Sequence, residues 1–174
     1  MIRIAGALAL LLGFALLAAA TFLGAFTRVR VEERSVGPHH FVYRTMHGAD
    51  PVQVGLITDQ VGEALRAAGV TQLQPLDLYY PEGSRERNEI GFAVGEADAA
   101  RAASLDASFL QRTLPAEAAL TVRFPWKHPL SYVVGALRVI PALRAYRAAN
   151  GYQDGPSYTL HDGDTILYVQ PIRR

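Results

Sequence analysis

Leu120-Thr121-Val122-Arg123-Phe124-Pro125-Trp126-Lys127-His128-Pro129 decides how the chain is read. Apolar and polar side chains alternate up to Phe124, the pattern of a strand with one buried face. Pro125 ends that strand, and Pro129 suits the first position of a helix, where a missing N–H costs nothing. The helix is expected to run to about Asn150. Val133, Leu137 and Ile140 form one apolar stripe on it, and Tyr132, Ala136, Val139, Leu143 and Tyr146 an adjoining one, together a broad buried face. Gly151 is a left-handed terminator. Pro141 removes a hydrogen bond inside the helix at about 3 kcal/mol, unless two shorter helices meet there. Residues 157–160 and 165–169 then read as strands, joined by the tight-turn signal Asp162-Gly163. A two-residue turn there sets Thr159 opposite Ile166 and Ser157 opposite Tyr168 on one surface.

The same unit of strand, helix and hairpin occurs earlier, offset by about eighty residues. Phe41-Val42-Tyr43-Arg44 stands for 120–123, Val61 to Ala68 for the helix around Leu143, and Leu78-Tyr79-Tyr80-Pro81 for the strand around Tyr158. The fold class is therefore α+β, a duplicated βαββ module with two helices on one face of an antiparallel sheet. Residues 27–96 form the first module, 97–110 an Ala-rich connector read as a short surface helix, and 111–174 the second module. In the first module a strand is expected over 29–33. Val36-Gly37-Pro38 breaks it before it resumes over 41–45. Asp50-Pro51 opens a helix with Val54, Ile57, Val61, Leu65 and Ala68 on its buried stripe. The polar segment 81–88 links two further strands as an exposed loop.

The chain of 174 residues is 50% hydrophobic with a net charge of +1 and no cysteine. That balance excludes an extended basic nucleic-acid surface, and the missing cysteines exclude disulfides, thiolate metal sites and a cysteine nucleophile. Residues 4–26 carry no charge; as a helix at about 1.5 Å per residue they reach about 34 Å, enough to span a hydrocarbon core. The expectation is a transmembrane anchor preceding the domain, marked by Ile4, Leu11, Phe22 and Phe26, with a cleaved secretory signal as the alternative. Arg28, Arg30 and Arg34 favour a single-pass arrangement with the domain on the cytoplasmic side.

No nucleophile elbow, phosphate loop, dinucleotide fingerprint or paired-histidine zinc motif is present. Neighbouring His39 and His40 point to opposite faces of a strand and do not converge on an ion. Neither a metal nor a cofactor is expected. What remains is aromatic: Phe124, Trp126, Tyr132, Tyr158 and Tyr168 in the second module, with Tyr43, Tyr79 and Tyr80 in the first. Where two such modules meet, an apolar cleft with a few polar groups is the usual form of a ligand pocket. The candidate lining is Tyr79, Phe124, Trp126, Tyr132, Ser157, Thr159 and Tyr168.

Phe124-Pro125-Trp126, Leu130-Ser131, Arg138-Val139, Pro141-Ala142-Leu143, Tyr146, Pro156, Asp164, Ile166 and Pro171 together resemble the GyrI-like effector-binding (SOUL-type) superfamily. Within it the pattern is most similar to the membrane-anchored branch that contains the testis-expressed endoplasmic-reticulum-phagy receptor of animals. The resemblance runs through 124–172 and extends through Tyr79-Tyr80 and Ala93-Val94-Gly95 into the first half. It implies a groove between the halves for small, often cationic or amphipathic molecules. It also implies a glutamate on the penultimate strand, which some relatives use with aromatics to hydrolyse small ring compounds. Thr159 stands at the matching position. Threonine neither neutralises a buried cation nor acts as a carboxylate base.

The sequence thus favours a membrane-tethered, non-enzymatic domain for a small apolar or amphipathic ligand, with a lipid bilayer as its other partner. An adaptor with a self-filled groove and a protein partner is the alternative. A small hydrolase using Tyr132 or Tyr168 with Asp77 or Glu89 is a weaker third.

Overall fold

Helix α1 (Ile2–Phe22) opens the chain and ends in a turn over 23–26. The structure, a computed structural model, describes residues 2–48, 50–81, 83–84 and 87–174, and side chains from residue 10 onward. Among the described residues no helix is long and apolar enough to cross a membrane. The transmembrane span expected over 4–26 is therefore not shown: α1 stops at Phe22, and the side chain of Ile4 lies outside the described ones. Leu11, Phe22 and Phe26 are exposed. Arg138 holds the end of this segment by donating to the carbonyls of Ala25 and Thr27.

Strands β1 (Glu32–Val36) and β2 (His39–Met46), helix α2 (Pro51–Ala67), and strands β3 (Leu73–Tyr79) and β4 (Asn88–Val94) make the first half. Helix α3 (Glu96–Ala102) leads to β5 (Leu110–Leu114) and β6 (Glu117–Pro125), followed by α4 (Pro129–Ala149), β7 (Ser157–Asp162) and β8 (Thr165–Pro171). Asp50 caps α2, its carboxylate accepting from the Val52 amide at 2.9 Å, with proline next in line as the sequence requires. In the loop over 81–88, Glu82, Arg85 and Glu86 lie outside the described residues.

All eight strands form one antiparallel sheet in the order β1-β6-β8-β7-β3-β4-β2-β5. Two modules meet at β3 and β7, and each contributes its leading strand to the other's half, β1 pairing with β6 and β5 with β2. The sheet curls: the His39 ring of β2 and the Tyr158 ring of β7 stand 6.0 Å apart although two strands lie between them. In a flat sheet that separation is about 14 Å. Inside the curl, Phe41, Leu76, Leu78, Tyr158, Leu160 and Val169 form one core. On the other face α2 covers Val42, Phe92 and Val94, and α4 covers Leu120, Val122, Phe124 and Ile166.

Four expectations are corrected. The strand placed at 29–33 begins instead at Glu32, because its partner is β6 and its register runs to Val36 opposite Glu117. The connector helix ends at Ala102, buries Asp98 and Ala102, and is followed by irregular chain over 103–109 rather than continuing to 110. Helix α4 runs unbroken through Pro141, and its buried line is Ser131, Gly135, Val139 and Leu143. Val133, Leu137 and Ile140 are exposed. Finally, the β7–β8 turn falls on Gly163-Asp164, since Asp162 already pairs with Thr165 and Gly163 has φ +59°. Thr159 therefore faces Tyr168 rather than Ile166; a shift of two residues changes partners but not faces.

Candidate functional site

Alternation along β3 sends Leu76 and Leu78 into the curl and turns Asp77 and Tyr79 toward the helices. Along β7, Tyr158 and Leu160 go inward while Ser157, Thr159 and His161 face the helices. Pairing then aligns one row across the sheet, Ile90, Asp77, Thr159, Tyr168 and Val122. Helix α2 packs on β2, β3 and β4 and α4 on β6 and β8, so the row's centre lies between them.

The repeat explains this centre. Glu32 to Leu110 and Pro51 to Pro129 are both offsets of 78, but α4 has 21 residues against 17 in α2, which makes the offset 82 from Asp77 to Thr159. The pseudo-twofold axis therefore passes between Asp77 and Thr159. The carboxylate absent at Thr159 is present on its symmetry mate, directly opposite.

Tyr132 of α4 reaches down to the row and donates to the Tyr79 hydroxyl at 2.9 Å. Tyr168 donates to the Tyr132 carbonyl at 3.2 Å, with the two rings 6.5 Å apart. Beneath them Asp77 is 7% exposed and Thr159 5%. Asp77 Oδ1 has no hydrogen-bond partner, and Thr159 Oγ1 faces Tyr132 without making a hydrogen bond of ordinary geometry. Burial pushes the Asp77 carboxyl up to about 7, against a smaller opposing pull from the Gly91 amide. Burial likewise raises the Tyr79, Tyr132 and Tyr168 hydroxyls, and the nearby Asp77 charge adds to it for Tyr79 and Tyr132. These hydroxyls are protonated donors.

The walls are apolar. Helical spacing places Ala136 and Ile140 on the side of α4 that carries Tyr132, and the repeat sets Val54, Thr58 and Gly62 at the equivalent positions of α2. Val133 and Ile140 are 51% and 40% exposed. Two surface cavities of about 160 and 320 Å³ lie elsewhere, and neither is lined by Asp77, Tyr79, Tyr132 or Thr159.

Of the residues singled out from sequence, the structure brings Tyr79, Tyr132, Thr159 and Tyr168 together. Ser157 lies beside them, opposite Tyr79. Trp126 sits at the far end of the row's neighbourhood, its ring edge-on to His161 at 4.8 Å. Phe124 is 1% exposed and packs in the core under α4, where it and Tyr168 both lie against Gly135. Asp77 is not among the ligand residues that the sequence picks out. Its sequence signal is an acid between two leucines, Leu76 and Leu78, on a strand. Glu89, the alternative acid in the hydrolase reading, lies on the opposite face, in a 2.6 Å ion pair with Arg112 and accepting from Tyr80 at 3.0 Å. These two acids share no site.

No family model and no curated protein matches the sequence. Solved structures do match the fold. The EcmrR C-terminal domain aligns with TM-score 0.60 at 14% identity, over 84% of this chain and 98% of that one. SAV2435 bound to tetraphenylphosphonium aligns with TM-score 0.52 at 12% identity, over 83% and 94%. A hydrolase from Listeria innocua aligns with TM-score 0.51 at 14% identity, over 82% and 91%. The chain has the fold of the GyrI-like effector-binding domains. The membrane-anchored branch of that superfamily is not singled out by these matches.

Proposed function

We propose that this domain binds a small apolar or amphipathic molecule in the groove between α2 and α4 and does not turn it over. The observation that carries the reading is an apolar, partly exposed wall, Ala136 and Ile140 on the Tyr132 side of α4, beside a floor with two buried polar atoms that lack partners. Packing within the domain gives no reason to leave both exposed apolar side chains and orphaned acceptors at one place. Binding rather than catalysis is supported by tyrosines held protonated and by Glu89 lying on the opposite face from Asp77, engaged with Arg112. SAV2435, of the same fold, has a bound organic cation.

Nile red, whose emission rises in apolar surroundings, tests this. Wild-type protein is expected to enhance it saturably, and Ile140→Asp, which places a charge on the wall outside the core, to weaken binding at least tenfold. Unchanged binding in that variant overturns the groove. The alternative is favoured by the Tyr132–Tyr79 hydrogen bond, which fills part of the floor with the protein's own side chains. A wild type that does not bind the dye leaves that reading, an adaptor for a protein partner.

We further propose that α1 tethers the domain at a membrane, with the domain on the cytoplasmic side. Leu10, Leu11, Leu12, Phe14, Leu16 and Leu17 are each more than half exposed, and Arg138 seats the end of this segment against α4.

A further inference from the structure

The groove floor holds two buried oxygens that face each other across the β3–β7 joint, Asp77 Oδ1 and Thr159 Oγ1, both without a hydrogen-bond partner. No salt bridge among the described residues involves Asp77. A buried carboxylate is tolerated only when an opposite charge and donors meet it. Side chains directly opposed in an antiparallel pair have Cβ atoms about 5 Å apart. One nitrogen above such a pair can donate to both at ordinary distances of about 2.9 Å. Tyr132 supplies a third acceptor on the same floor: its proton is donated to Tyr79, and its oxygen keeps free lone pairs.

We propose, on the basis of the groove reading above, that this floor selects cations bearing N–H donors. The ligand class is a primary or secondary ammonium on an apolar body, with Asp77 as its counter-ion and Thr159 as its second acceptor. A quaternary ammonium or phosphonium brings the charge but no donor. It leaves both oxygens unsatisfied and demands more room above them. The aromatic floor attracts either kind of cation; the orphaned acceptors separate them. The apolar body lies along Ala136 and Ile140.

The test displaces Nile red from the full chain at pH 8, where Asp77 is mostly ionised, with three probes sharing one body. These are 4-phenylbutylammonium, its N,N,N-trimethyl counterpart and neutral 4-phenylbutanol. The primary ammonium is expected to displace the dye at a concentration at least tenfold below that of the trimethyl compound. Thr159→Val, which removes an acceptor at nearly constant shape, narrows that ratio. Asp77→Asn weakens both cations at least tenfold and leaves the alcohol unchanged. Equal or tighter binding of the trimethyl compound to wild type overturns the proposal, as does a cation affinity indifferent to both substitutions. In either case displacement by the alcohol preserves the groove itself. Failure of all three probes, with dye binding untouched by Ile140→Asp, removes both readings.

Discussion

Asp77 has its neighbours Leu76 and Leu78 buried in the curl, while its own carboxylate is buried on the other face near Tyr79 and Tyr132. Its pKa rises from 3.8 to about 7 because burial opposes the charge. The folded state then holds its proton more tightly than the unfolded state does. The stability this gives is complete below about pH 4 and is lost as pH rises to 7 and beyond. The shift corresponds to a few kcal/mol at most, at about 1.4 kcal/mol per unit. Asp77→Asn is therefore expected to be more stable than wild type at pH 8, with the difference vanishing near pH 4.5. Urea unfolding at the two pH values measures it, and a constant difference contradicts the assignment. A carboxylate kept at such a place despite its effect on stability is a sign of use. At this scale the sequence was partly legible: the tyrosines and Thr159 stood out, since aromatics and a departure from a known pattern are visible residue by residue. Asp77 stood out less, because an acid on a strand reads as a solvated face until its partner strand is known.

Helix α4 illustrates what a hydropathy stripe omits. The line that faces the sheet is Ser131, Gly135, Val139 and Leu143, spaced by four, and half of it is small. Of the two stripes that apolar spacing picks out, one supplies Val139 and Leu143 to this line, whereas Val133, Leu137 and Ile140 are exposed because small residues at Ser131 and Gly135 turn the helix's other side to the sheet. Gly135 sets that approach: a Cβ there would lie 2.4 Å from the Tyr168 hydroxyl and 3.0 Å from Phe124 Cδ1. Alanine gains up to about 1 kcal/mol in helix propensity, but forcing the contact apart costs about 1–3 kcal/mol. It also strains the hydrogen bond from Tyr168 to the Tyr132 carbonyl, worth about 1 kcal/mol. Gly135→Ala is expected to lose about 1–3 kcal/mol in urea unfolding and to weaken dye binding by moving Tyr132. An equally stable variant with full binding would show that α4 shifts freely. Helix caps were the most legible elements: Asp50 and Gly151 act within a few residues of themselves.

The molecule as a whole joins an apolar N-terminal helix to a curled sheet with its groove on the helix-covered face. If α1 tethers the domain, the full chain floats with liposomes in a density gradient. A variant with Leu11→Glu and Leu16→Glu, both exposed positions, remains at the bottom. Equal flotation of the two removes the tether without touching the groove. The duplication itself was legible from the sequence, as was the α+β class, because a repeated order of strand, helix and hairpin is written locally in alternation, prolines and glycines. Local rules act over a handful of residues and fix elements, caps and turns. The exchange of β1 and β5 between halves, and the register that sets Asp77 against Thr159, arise from pairings between strands some eighty residues apart. Only the tertiary structure selects among such pairings, since it requires both cores to be buried at once. The site was decided there, on the axis where the two halves meet.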